Sequence, residues 1–389
     1  MQLHPLTTHE IGSLAKPTWR VKAFSGVPLD TVDLKVAQDW GDRLNIEGRD
    51  QLFKILAKKK DFSKEDKATI LHFSSLYATR LLEQAGLDLL WDGEQHRIEM
   101  YEHVIQHITG FVCRGHVRSF DNKYYAKASC VKPPSCPKPL HIEEYERIKH
   151  FTKKPIKVPI SGAYTLVDWS FDECYSAEMV PGMAGIRDLS QAGRNQFLMD
   201  MAEGVIYPTL KGLLNKGALF LQIDEAAATT KRSEIPEFIE TTKRSIGDLA
   251  GKAFFSMHLC FSEYARLFPA IKELEGIVSA IHLECANRDS LQLGVNATER
   301  TGYEILKLFK DTQFKIGIGV LDVHTDYIES PELIRDRILY ACDVLEDPER
   351  IMVAPDCGLR TRTWEVAYTK LQNMVKGRNL AAIQLGLPL

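Results

Sequence analysis

The hydrophobic positions of the chain recur as short apolar runs, and most of these runs are followed by stretches with helical spacing. The stretch 64–85 is the clearest, with apolar residues three and four positions apart, and Gly86 is predicted to end it. Strands are predicted at 6–11, 87–91, 156–161, 219–224, 253–259, 277–284, 314–320 and 351–354. Helices are predicted at 64–85, 142–150, 190–216, 235–249, 264–274, 298–310, 331–345 and 362–374.

This alternation of strands and helices predicts an α/β fold, specifically a parallel (β/α)8 TIM barrel. A doubly wound open sheet is the alternative. It is disfavoured because no Gly-x-Gly-x-x-Gly opens a helix after the first strand. We expect a single catalytic domain over residues 1–389.

One segment departs from the alternation. Two stretches of alternating residues within 111–131 flank Asp121-Asn122, which predicts a β-hairpin. With the proline-rich run that follows, the predicted insertion covers 111–139.

Composition excludes several classes of function. Of the 389 residues, 44% are hydrophobic and 26% are charged, as in an ordinary globular protein. A formal net charge of −3 gives no reason to expect nucleic acid or an anionic membrane as a partner. No apolar run reaches the roughly 20 residues that span a bilayer, and the first residues lack the features of a secretory signal. A cytoplasmic location is expected, with the eight cysteines as thiols or metal ligands rather than disulfides.

Residues that could bind or react with a substrate follow most of the predicted strands, at the end of a barrel where its strands form one site. They are Gly12, Ser13, Glu94, Asp224, Glu225, His258, Cys260, Glu284, His324 and Cys357. His258 and Cys260 project from the same face of a strand, and nitrogen and sulfur donors suit zinc.

A zinc site needs further ligands, and Glu284 and Cys357 are the candidates. Each has an alternative: Glu284 as an ordinary strand-end carboxylate, and Cys357 as a small apolar filler. His282 shares the strand face of Glu284, so it either competes as a ligand or lies one layer deeper. Glu94 and Asp224 are explained by structural salt bridges to Arg97 or Lys231 as well as they are by the binding of a substrate ammonium group.

Several ordered motifs resemble those of the cobalamin-independent methionine synthase (MetE) family, in its C-terminal catalytic barrel. The resemblance runs over nearly the whole chain. The matching motifs are Ile11-Gly12-Ser13, Asp92-Gly93-Glu94 with Arg97 and Met100, Asp168-Trp169-Ser170-Phe171, Gln222-Ile223-Asp224-Glu225-Ala226, His258-Leu259-Cys260, Leu283-Glu284, Asp322-Val323-His324, and Pro355-Asp356-Cys357-Gly358-Leu359 with Thr361.

The resemblance implies a role for each matching residue. Zinc ligands would be His258, Cys260, Glu284 and Cys357. Residues Ile11, Gly12 and Ser13 would receive the carboxylate of homocysteine, and Glu94 and Asp224 its ammonium group. Trp169 would line the methyl-donor side, and His324 would stand beside the reacting sulfur. Zinc coordination deprotonates a thiol, which gives a sulfur nucleophile at neutral pH.

Two departures from the family concern the methyl donor. The motifs begin near residue 11, which leaves no room for a second, N-terminal barrel, so the chain resembles the short, core-MetE form. Ser129 stands before Cys130 where the folate-using enzymes have arginine. We therefore expect methylcobalamin or a methylated corrinoid protein, rather than methyltetrahydrofolate, as the donor. The insertion is either a solvated rim of the barrel or, less favoured, a docking surface for that donor.

The sequence thus predicts a zinc-dependent methyltransferase that makes methionine from homocysteine and a methylcorrinoid. One alternative is a corrinoid-dependent enzyme acting on another thiol of the coenzyme M type. Glu94 and Asp224 argue against it, because such a substrate has no ammonium group. A non-catalytic zinc- or corrinoid-binding module is the second alternative.

Overall fold

The structure, a computed structural model, describes residues 3–118, 124–175, 186–260, 262–295 and 300–389, except the side chains of 186–190. Its strands are β1 (Thr7–Thr8), β2 (Thr109–Arg118), β3 (Tyr124–Ser135), β4 (Lys157–Ser161), β5 (Phe171–Asp172), β6 (Phe220–Asp224), β7 (Phe254–Leu259), β8 (Ala280–Leu283), β9 (Lys315–Leu321) and β10 (Ile351–Pro355).

Thirteen α-helices fall within these described residues. They are α1 (Thr18–Ser25), α2 (Thr31–Arg43), α3 (Arg49–Leu56), α4 (Lys64–Ala85), α5 (Met100–His107), α6 (Ile142–Phe151), α7 (Ala163–Asp168), α8 (Ile186–Met201), α9 (Tyr207–Asn215), α10 (Ile235–Ile246), α11 (Leu306–Phe309), α12 (Pro331–Leu345) and α13 (Trp364–Leu385). No helix in the described ranges is both long and apolar enough to cross a membrane.

Seven strands form one curled parallel sheet in the order β1-β10-β9-β8-β7-β6-β4. Its strands are almost wholly buried, as expected when helices cover a parallel sheet. An α/β fold with a curled parallel sheet is therefore confirmed.

The predicted strand 87–91 is reduced to two bridge residues. Leu89 bridges to His9 beside β1, and Leu90 bridges to Ile156 beside β4. The segment pairs for only one residue on each side, which is too short for a regular ladder. The eight regular strands of the sequence prediction are therefore not observed as such.

The predicted insertion contains an antiparallel strand pair. β2 pairs with β3 from Phe111–Cys130 to Arg118–Tyr124, while the predicted turn at Asp121-Asn122 lies outside the described residues. β3 also continues through the proline-rich run to Ser135, and β5 adds to it in parallel. In this small sheet, Ala128 donates its backbone N–H to the Tyr101 hydroxyl at 3.3 Å, which joins the sheet to α5.

Two helix predictions differ from the structure for local reasons. The predicted helix 264–274 consists of two 3₁₀ turns, Tyr264–Leu267 and Ala270–Leu274. Pro269 lies between them and has no N–H to continue a helical ladder. The predicted helix 190–216 is divided into α8 and α9 by a π-helical turn, Ala202–Ile206. By contrast, Gly86 ends α4 in the left-handed region, with φ of 98°, as predicted.

A buried ion pair fixes the turn after β9. Lys370 of α13 donates to Glu329 at 2.7 Å and to the backbone oxygen of Asp322 at 2.9 Å. Glu329 in turn accepts the backbone N–H of Asp322 at 2.8 Å. Both side chains are at most 1% exposed, so neither charge can be solvated by water if the other is removed.

We expect Lys370→Met to lower the free energy of unfolding by about 3–5 kcal/mol, because it leaves Glu329 buried without its counter-charge. Denaturant titration followed by circular dichroism measures the change. The exposed Lys376→Met on the same helix is the control and should stay within about 0.5 kcal/mol of wild type. Equal stability of the two variants would refute the role given to Lys370.

Candidate functional site

Four side chains that the sequence singled out converge at the carboxyl edge of the sheet. His258 is on β7 and Cys260 follows that strand, Glu284 follows β8, and Cys357 follows β10. One potential ligand atom from each lies within 4.8 Å of those of the other three. Parallel strands bring their carboxyl ends to one edge, which explains how residues far apart in sequence meet here.

His258 is held in place by its neighbour His282. The Nδ1 atoms of the two rings are 2.7 Å apart, and both residues are buried. Burial, followed by the charge of His258, lowers the pKa of His282 well below its ordinary value, so His282 is neutral. Because Nδ1 of His258 is engaged by His282, Nε2 is left as the metal-binding atom. His282 is therefore a partner of His258 rather than one of the four donors.

The two cysteines share one proton. A hydrogen bond from the Cys260 thiol lowers the pKa of Cys357, and the same bond raises the pKa of Cys260. A thiolate beside a thiol is the state from which a metal ion displaces the remaining proton.

The donor set fits zinc. Zinc takes nitrogen, sulfur and carboxylate oxygen ligands at about 2.0–2.3 Å, so its ligands lie roughly 3.3–3.8 Å from one another in a tetrahedron. The observed grouping within 4.8 Å is compatible with that arrangement. Two of the donors already interact: burial lowers the pKa of His258, but hydrogen bonding to Cys357 and the charge of its thiolate raise that pKa above its ordinary value.

Asp356 holds the two ligand-bearing loops together, a role that sequence reasoning missed. Its carboxylate accepts the backbone N–H groups of Cys285, Ala286 and Asn287 at 2.6–2.9 Å. The loop after β8, which carries Glu284, is therefore tied to the loop after β10, which carries Cys357. Gly319 makes room for this contact, because a Cβ there would lie 2.0 Å from the Asp356 Oδ1 atom. The only sequence signal was the position of Asp356 beside Cys357.

The predicted homocysteine-binding residues lie next to one another. A Cβ on Gly12 would lie 2.9 Å from Oε1 of Glu94, so the glycine allows this carboxylate to approach the backbone of the 11–13 loop. Ser13 contacts the other side of the site, where a Cβ on Gly358 would fall 2.1 Å from its hydroxyl oxygen. The 11–13 loop therefore lies between Glu94, which is predicted to bind the substrate, and the segment that carries Cys357.

Asp224 completes the carboxylate pair. Gln222 donates to Asp224 Oδ1 and to the backbone oxygen of Ile11, both at 2.7 Å. Burial raises the pKa of Asp224 to about 7; His258 opposes the shift and the negative charge of Glu94 adds to it. Glu225, the next residue, points away and accepts backbone N–H groups of Tyr164 and Thr165.

A buried lysine, which the sequence analysis did not single out, lies beside the 11–13 loop. Lys157 is 2% exposed, and its ammonium group contacts His9 Nδ1 at 3.1 Å and the Ile11 backbone oxygen at 3.3 Å. It also donates to the backbone oxygen of Glu10 and to the Gln222 side chain. Its charge balances the nearby carboxylates. Within the apolar run 156–161 it carried no signal of this role.

Trp169 and His324 lie outside the four-donor group. Trp169 is half-buried at the end of α7, with its ring centroid 6.4 Å from that of Tyr101. His324 is exposed in the turn after β9, where its backbone N–H donates to Asp322 at 2.8 Å. His324 is therefore not part of the four-donor group.

The predicted alternatives for the carboxylates are partly realised. Glu94 does contact Arg97, at 3.4 Å, whereas Lys231 pairs with Asp168 at 2.7 Å rather than with Asp224. Within the described part of the chain, Asp224 is thus held by the Gln222 amide rather than by an ion pair with Lys231.

Comparison with known proteins gives a consistent result. A family model described as "Cobalamin-independent synthase, Catalytic domain" matches residues 48–379. A methionine synthase of Thermoplasma acidophilum is 38% identical over 388 residues, which cover 98% of this chain and 99% of the relative. A methionine synthase of Thermococcus kodakarensis is 32% identical over 386 residues, covering 99% and 96%. The fold is similar to that of a B12-independent methionine synthase from Shewanella sp. W3-18-1 solved with selenomethionine, with a TM-score of 0.73 and 21% identity, over 98% of this chain and 99% of that one.

These comparisons correct the predicted methyl donor. The matching family is described as cobalamin-independent, so the prediction of methylcobalamin or a corrinoid protein as donor, cofactor and partner is wrong. The prediction relied on the start of the motifs near residue 11 and on Ser129, which is fully buried in β3 and pairs with Phe171 of β5.

We expect His282→Phe to weaken zinc binding by about 10–100-fold, because the partner of His258 Nδ1 is lost while the ring volume is kept. Competition with a chromophoric chelator measures the affinity, and a thermal melt verifies folding. His116→Phe, an exposed change on β2, is the control. A folded His282→Phe protein with the affinity of wild type would contradict the assignment.

Proposed function

This chain belongs to the family of cobalamin-independent methionine synthases, and from that premise we propose that it methylates the thiol of homocysteine to form methionine. The observation that carries the proposal is the four-donor group beside two carboxylates, the buried Glu94 and the half-buried Asp224, which pairs in register with His258. His258, Cys260, Glu284 and Cys357 would hold zinc. Zinc, when bound, keeps a coordinated substrate thiol deprotonated at neutral pH.

The substrate's charged groups find complementary partners in the same site. Glu94 and Asp224 would bind the ammonium group through charge-assisted hydrogen bonds. The backbone and hydroxyl of residues 11–13 would receive its carboxylate, with Lys157 contributing positive charge from below. These contacts orient the sulfur toward the donor side and distinguish an amino-acid thiol from a simple one.

The donor that we propose is a methylated tertiary amine of the methyltetrahydrofolate class. The half-buried face of Trp169 beside Tyr101 supports a flat aromatic ring at this position. Methyl transfer forms the S–C bond and breaks the N–C bond, so the leaving nitrogen must gain a proton. We propose that His324, in its exposed turn, supplies or relays that proton.

We also propose that the bridges at Leu89 and Leu90 close the curled sheet into an eight-membered barrel, and that residues 1–389 form one catalytic domain. Leu89 and Leu90 support the closure, because their backbone N–H groups donate to Thr8 at 3.0 Å and to Pro155 at 3.2 Å. A continuous core that includes residues from Leu6 to Ala382 supports the single domain.

The proposed function is tested by assaying methionine by mass spectrometry with zinc-loaded protein, homocysteine and methyltetrahydrofolate. Cys357→Ser should lose zinc and at least about 30-fold in rate, because a free thiol of pKa about 8.5 is only a few per cent ionised at pH 7. The exposed Cys113→Ser is the matched control and should keep both. Methylcobalamin in parallel should give no turnover above background. Zinc binding without turnover of any donor would refute the proposal.

Asp224→Asn and Glu94→Gln should each lower kcat/KM for homocysteine by about 10–100-fold, since a hydrogen bond to a charged group contributes roughly 1.5–3 kcal/mol. The desamino analogue 4-mercaptobutanoate separates this effect from damage to the site. Turnover of the analogue should be the same in wild type and variants. If both substrates lose activity equally, these carboxylates do not bind the ammonium group.

A further inference from the structure

A second group of potential metal ligands lies apart from the four donors. His103 is on α5, His141 immediately precedes α6, and Glu144 is in the first turn of α6. One ligand atom from each lies within 4.8 Å of the other two. His103 Nε2 and His141 Nδ1 both approach the same oxygen, Glu144 Oε1, at 3.4 and 3.1 Å. Two nitrogens and a carboxylate oxygen thus converge on one point.

The two imidazoles are ordered and suited to metal binding. Their rings are stacked, with centroids 5.6 Å apart and an interplanar angle of 19°. The His141 side chain is 1% exposed, and its backbone is in the left-handed region with φ of 64°, an uncommon conformation that fixes where the ring projects. Burial, followed by the charge of Arg97, lowers the pKa of His141 to about 4, so this ring is neutral and has a lone pair to donate.

Glu144 is ionised and oriented by an outer partner. Burial alone would raise its pKa, but the guanidinium group of Arg97 holds the pKa of this carboxyl well below its ordinary value. Arg97 Nε donates to Oε2 at 3.0 Å, which leaves Oε1 directed at the two histidines. A carboxylate ligand with a hydrogen-bond donor on its second oxygen is the usual arrangement around a protein-bound metal.

The site is reachable from solvent on one side. The His103 side chain is 13% exposed, against 1% for His141 and 8% for Glu144. His107, one turn further along α5, is exposed, with its ring centroid 4.4 Å from that of His103. An ion would therefore enter past the α5 face, and its remaining coordination position would face water.

We propose that His103, His141 and Glu144 form a second metal site, which binds a divalent transition ion of the zinc class with two nitrogen ligands and one carboxylate. Such a three-residue set leaves a fourth position open. The alternative is that both imidazoles only donate hydrogen bonds to Glu144. The two cases differ in metal stoichiometry, and the proposal does not depend on the proposed catalytic function.

The test uses tag-free, reduced protein that is stripped with a chelator, reloaded with excess zinc, desalted and analysed for metal. Wild type should retain two zinc ions per chain, and Cys357→Ser and His103→Gln one each. The double variant should retain none. His150→Gln, an exposed histidine on α6, is the control and should retain two. If wild type retains one ion and His103→Gln does not change that number, the proposal is refuted.

Cobalt substitution gives an independent readout. In the Cys357→Ser background, Co²⁺ at the second site should show weak visible bands, and His103→Gln should weaken its binding at least about 10-fold. His141→Gln, checked by thermal melt for folding, should do the same. If the folded Cys357→Ser protein retained no metal, the four-donor group would be the only metal site of the wild type, and the proposal would be overturned. Loss of turnover with two ions retained would instead count against the proposed function alone.

Discussion

Parallel strands all end at the same edge of the sheet, and the candidate site depends on this constraint. The donors His258, Cys260, Glu284 and Cys357 come from the ends of three strands, β7, β8 and β10. No local motif holds them together. Their spacing is instead maintained by the strand register below and by Asp356, which ties two of the loops through three backbone N–H groups. A small displacement of one strand end would therefore separate the donors.

The same edge carries an unusual amount of buried charge. Glu94 and Lys157 are buried and Asp224 is half-buried, and burial raises the pKa of Glu10 beside them to about 7. Burying such groups is unfavourable unless each is hydrogen-bonded or paired. Gln222 and the carbonyl groups of the 10–11 segment provide these partners. The site is thus held in a polar state that an apolar interior would not provide, as the proposed binding of a zwitterionic amino acid requires.

Sequence reasoning succeeded where a pattern reports directly on geometry. The strand-helix alternation predicted where His258, Cys260 and Glu284 lie, and Gly86 marked a helix end. It failed where the outcome depends on neighbours that are distant in sequence. The pairing of His282 with His258 and the contacts of Lys157 require the register between strands. Pro269 was a readable local signal that the helical periodicity of 264–274 obscured. Ser129 misled because its burial, unlike its identity, cannot be read from the chain.

Arg97 links the two groups of polar residues described above. Its guanidinium group contacts Glu144 at 3.0 Å and Glu94 at 3.4 Å, and both contacts are buried. One cation is thus shared between a carboxylate of the proposed amino-acid pocket and a carboxylate beside two histidines. A ligand that neutralises either carboxylate leaves more of the Arg97 charge for the other. If occupancy of one pocket changes the affinity of the other through Arg97, thermodynamic linkage requires the reverse effect to have the same factor.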